Sequence, residues 1–154
     1  MIEAWRIVKA RFASAAFDGQ GASLEGGRWN PPGTAVVYTS SSASLALLEI
    51  LVNLGASAPL FGYSLFRIEM AESLVERLGP ADLPRNWRDY PPPWDTQRVG
   101  HRWLGREHSC VLAVPSTVVP FELNYLLDPN HADFPQISID PSTPFPIDAR
   151  LVAH

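Results

Sequence analysis

Residues 26–33, GGRWNPPG, place an arginine in a loop whose backbone is tightly constrained. The glycine pair permits unusual backbone angles and the close approach of a ligand, and the proline pair stiffens the exit from the turn. The loop is therefore predicted to hold Arg28 rigidly. A planar guanidinium held in this way suits a diphosphate or a carboxylate, because it donates two parallel hydrogen bonds. The alternative is a surface turn in which Arg28 pairs with a neighbouring acidic residue.

A single glutamate, Glu49, interrupts the apolar segment LALLEILV. A charge among apolar side chains is costly unless it is paired or hydrogen-bonded, so something must compensate for it. Two interpretations follow from this cost. Glu49 either pairs with a structural arginine or lines a cleft in which its charge is used.

Two hydroxyl groups are further candidates for a binding site. Tyr38 ends the strand-like segment AVVYT on the same face as Val36, which favours a core position, and the functional alternative is a platform on which a planar ring stacks. Ser116 follows a predicted buried strand and lies between two prolines, but no GxSxG elbow accompanies it, which argues against a nucleophile. Its hydroxyl is expected to bind a ligand or Glu49, or else to belong to an ordinary turn.

Length and composition exclude several classes of protein. The 154 residues match one domain, 1–154, and 46% of them are hydrophobic, yet no apolar run approaches the roughly 18 residues of a membrane helix. The net charge is -4 and the arginines are scattered, so direct binding to nucleic acid and a membrane role are not expected. Because Glu3 precedes any basic residue, the N-terminus does not resemble a secretory signal, and a cytoplasmic location is predicted.

Metal and nucleotide fingerprints are missing from the chain. The one cysteine, Cys110, cannot form an internal disulfide and is predicted to be a small buried residue. The four histidines form no HExxH motif and no close pair, so no metal site is predicted. Neither GxGxxG after the first strand nor GxxxxGK[ST] is present, which excludes the two common nucleotide-binding fingerprints.

The elements that must position these residues follow from hydrophobic periodicity. Alternating and β-branched apolar residues predict strands at 4–9, 35–39, 62–69, 110–114, 123–127 and 136–139. One helix is predicted from a serine cap at Ser41 or Ser42 to a stop at Gly55, and a second at 96–106 with Asp95 as its cap. Strands outnumber helices and do not alternate with them, so an α+β fold is predicted, a mixed β-sheet sandwich with flanking helices.

Five segments stand out together: Trp5-Arg6-Ile7, GGRWNPPG, VVYTS, LALLE and VPSTVVPFELNYLLDPNHADF. In their order and spacing they resemble the RES family of bacterial toxins. The family is named for an arginine, a glutamate and a serine, which correspond here to Arg28, Glu49 and Ser116. Two departures occur in the last segment, where Asp128 replaces a common asparagine and Ala132 a common proline.

The resemblance implies a single RES toxin domain with an ADP-ribosyltransferase-like fold that acts on NAD. NAD would be a consumed substrate, with no cofactor or metal needed. Arg28 would bind the NAD diphosphate, Tyr38 would stack on the nicotinamide or its ribose, and Arg6 would be a second phosphate contact. Glu49 would stabilise the positive charge that develops on the ribose, and Ser116 would orient Glu49 or the nicotinamide amide.

The resemblance also implies a partner and leaves the acceptor open. The chain would be the toxin of a type II toxin–antitoxin system that cleaves the nicotinamide–ribose bond, held in a hetero-oligomer by an Xre-type helix-turn-helix antitoxin. Water, phosphate or a protein side chain could each attack the ribose. An ADP-ribosyltransferase with a protein target is therefore one alternative, and a catalytically inert module that binds a nucleotide or a partner is another.

Overall fold

The computed structural model describes residues 1–55 and 58–152. Within these residues the strands are β1 (Ile2–Lys9), β2 (Val37–Ser40), β3 (Tyr63–Met70), β4 (Val75–Arg77), β5 (Val111–Pro115), β6 (Leu123–Leu127), β7 (Ser138–Ile139) and β8 (Thr143–Phe145). The α-helices are α1 (Gln20–Glu25), α2 (Ala43–Leu51) and α3 (Trp94–Arg106), and short 3-10 helices occur in the connections. No helix in these ranges has the length and hydrophobicity needed to cross a bilayer.

All the strands belong to one sheet in the order β4-β5-β6-β2-β1-β3-β7, and β8 also pairs with β3. Only β4 and β5 run parallel; the other described pairs are antiparallel. The mixed sheet and the few helices beside it confirm the predicted α+β class. The central pairing of β2 with β6 places Ser40 directly opposite Asn124, a register that matters for the site.

Both faces of the central strands are covered, because successive side chains of a strand point to opposite faces. Val111 and Leu127 belong to one apolar cluster, and their neighbours Leu112 and Leu126 belong to another that also contains Trp103 of α3. A third cluster lies under α2. Near-continuous apolar strands such as β5 are therefore buried on both faces.

The first predicted helix is confirmed at its start but ends early. Ser42 is the cap, and its Oγ accepts a hydrogen bond of 3.0 Å from the backbone N–H of Leu45. The helix ends at Leu51 rather than at Gly55. The side chain of Asn53 donates to the backbone carbonyl of Glu49 at 3.0 Å, and tighter i→i+3 bonds follow, so the regular pattern stops there.

The predicted cap of the second helix is wrong. Helix α3 begins at Trp94 with Pro93 as its N-cap, and no side chain caps it. Asp95 lies inside the first turn, where its Oδ2 accepts a hydrogen bond of 2.8 Å from Asn86. A proline directly before the first helical residue has a backbone φ angle suited to the start of a helix. This explains why α3 begins two residues before the predicted start.

The six predicted strands all overlap observed ones, with ends displaced by up to two residues. Strand β2 starts at Val37, β5 starts at Val111 after the fully buried Cys110, and β7 starts at Ser138 because a 3-10 turn occupies 134–136. The sequence did not predict β4, β8 or α1. These elements have three to six residues, too few to show a period.

Candidate active site

A cleft of about 1000 Å³ opens beside β1, β2 and α2. Four predicted site residues line it: Arg6, Arg28, Tyr38 and Glu49. Ser116, the fifth, is fully buried behind the wall of the cleft. The fold therefore gathers side chains that are as far apart in sequence as Arg6 and Ser116.

The arginine loop is held together by one buried amide that the sequence analysis missed. Asn30 is 0% exposed, and its Nδ2 donates to the backbone carbonyls of Ala22, Pro31 and Thr34 at 2.9, 3.2 and 3.1 Å. Its Oδ1 accepts a 2.5 Å hydrogen bond from the hydroxyl of Tyr38. A side chain that makes four such bonds fixes the loop to the sheet.

Both members of the glycine pair, Gly26 and Gly27, are required, for different reasons. Gly26 has a φ of 74°, in the left-handed region that other residues rarely adopt. Gly27 packs against Tyr38, and a Cβ there would lie 2.6 Å from the tyrosine hydroxyl. The loop conformation that carries Arg28 thus depends on glycine at both positions.

Helix α3 supports the same loop from outside. The Nε2 of Gln97 donates to the backbone carbonyl of Gly27 at 3.1 Å. One turn along, Gly100 contacts the loop so closely that an added Cβ would lie 1.6 Å from the carbonyl oxygen of Trp29. The helix and the loop therefore meet backbone to backbone.

Arg28 itself binds two backbone carbonyls. Its Nη1 donates to the carbonyls of Trp87 and Asp89 at 2.8 and 2.7 Å. Within the described residues no carboxylate lies at salt-bridge distance from Arg28. The alternative in which Arg28 pairs with a neighbouring acidic residue is therefore wrong. Burial lowers the pKa of Arg28, and the negative charge of Glu49 partly offsets this. The guanidinium is fixed at the cleft without being neutralised.

Glu49 is compensated by neutral donors. Its Oε1 accepts hydrogen bonds from Ser116 Oγ at 2.7 Å and from Asn124 Nδ2 at 2.8 Å. No arginine pairs with Glu49 in the described part of the chain, and Glu49 lines the cleft. Of the two interpretations, a structural arginine partner or a place in a cleft, the structure supports the second. Glu49 thus lies at the cleft with neutral hydrogen-bond donors and, among the described residues, without a cationic partner at salt-bridge distance.

The hydroxyl of Ser116 hydrogen-bonds to Glu49 and does not line the cleft. Its Oγ accepts hydrogen bonds from the backbone N–H groups of Val118 and Val119, each at 3.1 Å, which leaves its proton for Glu49. Of the ligand contact and the Glu49 contact predicted for this hydroxyl, the structure shows the second.

Arg6 and Tyr38 both line the cleft. The Nε and Nη1 of Arg6 donate to the carbonyls of Ala16 and Tyr38, both at 2.8 Å, and burial lowers the pKa of Arg6 to about 10, partly offset by Asp18. The Tyr38 ring packs against the cluster around Trp29, and burial raises the pKa of its hydroxyl. Tyr38 is thus both a core residue and part of the cleft wall.

Comparison with known proteins agrees with the sequence resemblance. The family model for the RES domain matches residues 3–148. The chain belongs to the RES domain family. A protein named Toxin Res from Yersinia enterocolitica is 44% identical over 149 residues, covering 96% of this chain and 97% of that protein. A Prs ADP-ribosylating toxin from Sphingobium sp. is 36% identical over 134 residues, covering 84% of this chain and 83% of that protein.

A solved structure shares the fold. The crystal structure of the M. tuberculosis MbcT–MbcA toxin–antitoxin complex contains a chain that matches with a TM-score of 0.75 at 21% identity. The match covers 94% of this chain and 84% of that chain. At this identity the likeness concerns the arrangement of helices and strands, and it places the RES sequence on a fold seen in a toxin–antitoxin complex.

Asp128, which directly follows β6, is buried. Its Oδ1 accepts a hydrogen bond of 3.0 Å from the backbone N–H of Asn130. Burial raises the pKa of this carboxyl, and Asn130 and His131 only partly oppose the shift. The folded protein therefore binds the Asp128 proton more tightly than the unfolded chain does, and the ionised form costs stability at neutral pH.

We expect Asp128→Asn to raise the melting temperature at pH 7, because the amide keeps the acceptor oxygen without the buried charge. The gain should shrink as the pH falls through the raised folded-state pKa of Asp128, and vanish near the ordinary value of 3.8. Thermal melts at pH 7 and pH 4 measure it, with the exposed Asp82→Asn as control. A gain of equal size at both pH values would contradict this account.

Proposed function

We propose that this chain is the toxin of a toxin–antitoxin pair and that it consumes NAD by cleaving the bond between nicotinamide and ribose. One observation carries the proposal: Glu49 shares a cleft with Arg28 and Arg6 and is hydrogen-bonded at Oε1 by Ser116 and Asn124. A carboxylate and two guanidinium groups suit a substrate that carries phosphates and develops positive charge as it reacts.

The chemistry assigned to Glu49 follows from its hydrogen bonds. When the nicotinamide nitrogen leaves with the bonding electron pair, positive charge develops on the ribose carbon, as in glycoside cleavage. A nearby carboxylate stabilises that charge. An oxygen of the acceptor then bonds to the same carbon and loses its proton to solvent. Ser116 acts by orienting Glu49.

The arginines are assigned to the diphosphate. Arg28 uses Nη1 to bind the Trp87 and Asp89 carbonyls, and its Nε and Nη2 form no hydrogen bond within the described residues. Arg6 is held by two carbonyls in the same manner. Each guanidinium is thus fixed in place by part of its donors, and the rest are available to phosphate oxygens.

Purified protein incubated with NAD tests the function. Loss of NAD with release of nicotinamide and ADP-ribose would indicate water as the acceptor, and a phosphorylated ADP-ribose formed only in phosphate buffer would indicate phosphate. Mass spectrometry distinguishes these products. Unchanged NAD in every buffer, with folded protein, would contradict cleavage with either acceptor.

A protein acceptor is the second candidate, because the Sphingobium relative is named an ADP-ribosylating toxin. The same site could carry it, since the acceptor attacks the same ribose carbon. Incubation with labelled NAD and bacterial lysate, followed by electrophoresis, would reveal a labelled protein band. An inert binding module would neither label protein nor consume NAD.

We further propose a cytoplasmic toxin silenced by an Xre-type helix-turn-helix antitoxin that covers the cleft. The shared fold of a chain from a toxin–antitoxin complex supports a partner. A partner carboxylate placed against Arg28 would exclude NAD. Expression alone should deplete NAD and arrest growth, and co-expression with the adjacent gene should restore both.

We expect Arg28→Ala to weaken NAD binding by about 1.5–3 kcal/mol, roughly 10–150-fold in KM, because it removes charge-assisted hydrogen bonds. Arg28→Lys should recover only part of this, since a point charge cannot replace the planar fork. Steady-state kinetics measure both, with Arg150→Ala as an exposed control outside the cleft. A lysine variant equal to the parent would show that only positive potential is required.

A further inference from the structure

The two carboxylate oxygens of Glu49 have different surroundings. Oε1 accepts both Ser116 Oγ at 2.7 Å and Asn124 Nδ2 at 2.8 Å. Oε2 accepts no hydrogen bond from any described residue. One oxygen is therefore fixed by two donors, and the other keeps its hydrogen-bonding capacity for a ligand in the cleft.

The donors and acceptors around Glu49 can be arranged in only one way. An ionised carboxylate only accepts, so the Nδ2 of Asn124 must face it. The Oδ1 of Asn124 then faces Ser40 Oγ at 3.0 Å, and Ser40 must donate its proton there. Ser116 accepts from two backbone N–H groups and must donate to Glu49. With Glu49 ionised, the hydrogen bonds that link Ser40, Asn124 and Glu49 therefore have a single assignment of donors and acceptors.

This network lies at the centre of the sheet. Asn124 lies in β6, with Ser40 of β2 opposite on one side and Val114 of β5 opposite on the other. Asparagine is disfavoured in strands, so its presence in a central strand requires a local reason. The hydrogen bond from Asn124 to Glu49 Oε1 supplies this reason, and it links strand β6 to helix α2.

We propose that Asn124 is a positioning residue for Glu49, holding Oε1 so that Oε2 is presented to the ribose of the substrate. The inference rests on the proposed function, and it assigns to Asn124 a part in turnover that neither the family's arginine, glutamate and serine nor the spacing of the sequence suggested. Ser40 orients the amide and contributes indirectly.

Asn124→Ala is expected to lower kcat by roughly 10–100-fold with KM nearly unchanged, the scale found when a supporting hydrogen bond to a functional group is lost. Ser40→Ala should lower kcat by a smaller factor, because the amide remains and only its orientation is loosened. Ser40→Ala also serves if Asn124→Ala fails to fold. Folded variants with parental kcat, or with KM raised and kcat unchanged, would overturn the proposal.

The pH dependence of the Asn124→Asp variant distinguishes a positioning role of Asn124 from a purely structural one. Two carboxylates this close share one proton, and the shared proton supplies the donor that the amide supplied. Activity relative to the parent should be highest at acidic pH and should fall as the pH rises and that proton is lost. Gln136→Glu is the control, an amide-to-carboxylate change at an exposed position outside the cleft.

The direction of the pH profile decides the outcome. If only the charge of Glu49 mattered, the relative activity of Asn124→Asp would rise with pH, and that result would overturn the proposal, as would a flat ratio. The proposed function fails separately, when the parental chain consumes no NAD under any condition. Parental turnover with an unaffected Asn124→Asp variant would refute the positioning role alone.

Discussion

Replacing Glu49 by glutamine should abolish most of the turnover of NAD, with a loss of roughly 10²–10³ in kcat, the effect expected when one electrostatic contact to a transition state is removed. Glutamine keeps the shape and can keep a carbonyl oxygen at the position of Oε1, where Ser116 and Asn124 donate. It places a neutral amide nitrogen where the charged Oε2 stood, so the fold should survive while the charge is lost.

Kinetics and thermal melting together test this result. The Glu49→Gln variant should melt near the parental temperature, and the exposed Glu72→Gln should keep parental activity as the charge control. Parental turnover in Glu49→Gln would show that the carboxylate has a structural role. In that case the hydrogen bonds from Ser116 and Asn124 would have to be explained as contacts that dock α2 on the sheet.

Replacing Gly100 by alanine should destabilise the fold. The added Cβ would lie 1.6 Å from the backbone oxygen of Trp29, and no side-chain rotation can relieve a clash between Cβ and a backbone atom. Helix α3 must move away from the arginine loop, at a cost of about 1–3 kcal/mol or more. For a chain of this length such a cost lowers the melting temperature by roughly 2–12 °C.

Gly105→Ala is the matched control, because it lies in the same helix with nothing within 4 Å of the added Cβ. Alanine is a better helix former, so this variant should melt at the parental temperature or above, by up to about 1 kcal/mol of stability. The two substitutions should thus have opposite signs. Equal melting temperatures for both would contradict the contact between α3 and the loop.

Local signals in the sequence were enough to identify several features. The serine cap, the apolar periodicity of α2 and the apolar runs of the six predicted strands all depend on residues close together along the chain, and each was found in the structure. The oddity of Glu49 was also visible, because a charge in an apolar segment demands compensation wherever the fold places it. The motifs around Arg28, Glu49 and Ser116 pointed to the family to which the chain belongs.

What the sequence alone could not supply was the identity of the compensating groups. Either a structural arginine or a cleft was possible for Glu49, and only the packing of α2 on the sheet showed neutral donors from Ser116 and Asn124. Asn124 is 75 residues away from Glu49, so no spacing rule could join them. Ser40 meets Asn124 only because β2 and β6 pair in one register.

The chain by itself therefore determined the residue types that could bind phosphates and stabilise positive charge, the α+β class and the family. The tertiary structure decided which of those residues share a cleft, that Ser116 is fully buried, and that Asn30 and Asn124 hydrogen-bond to Tyr38 and Glu49. The physical reason is one of range. Caps and periodicity are set by neighbours along the chain, whereas hydrogen bonds among Glu49, Ser116 and Asn124 exist only after strand pairing and helix packing bring them together.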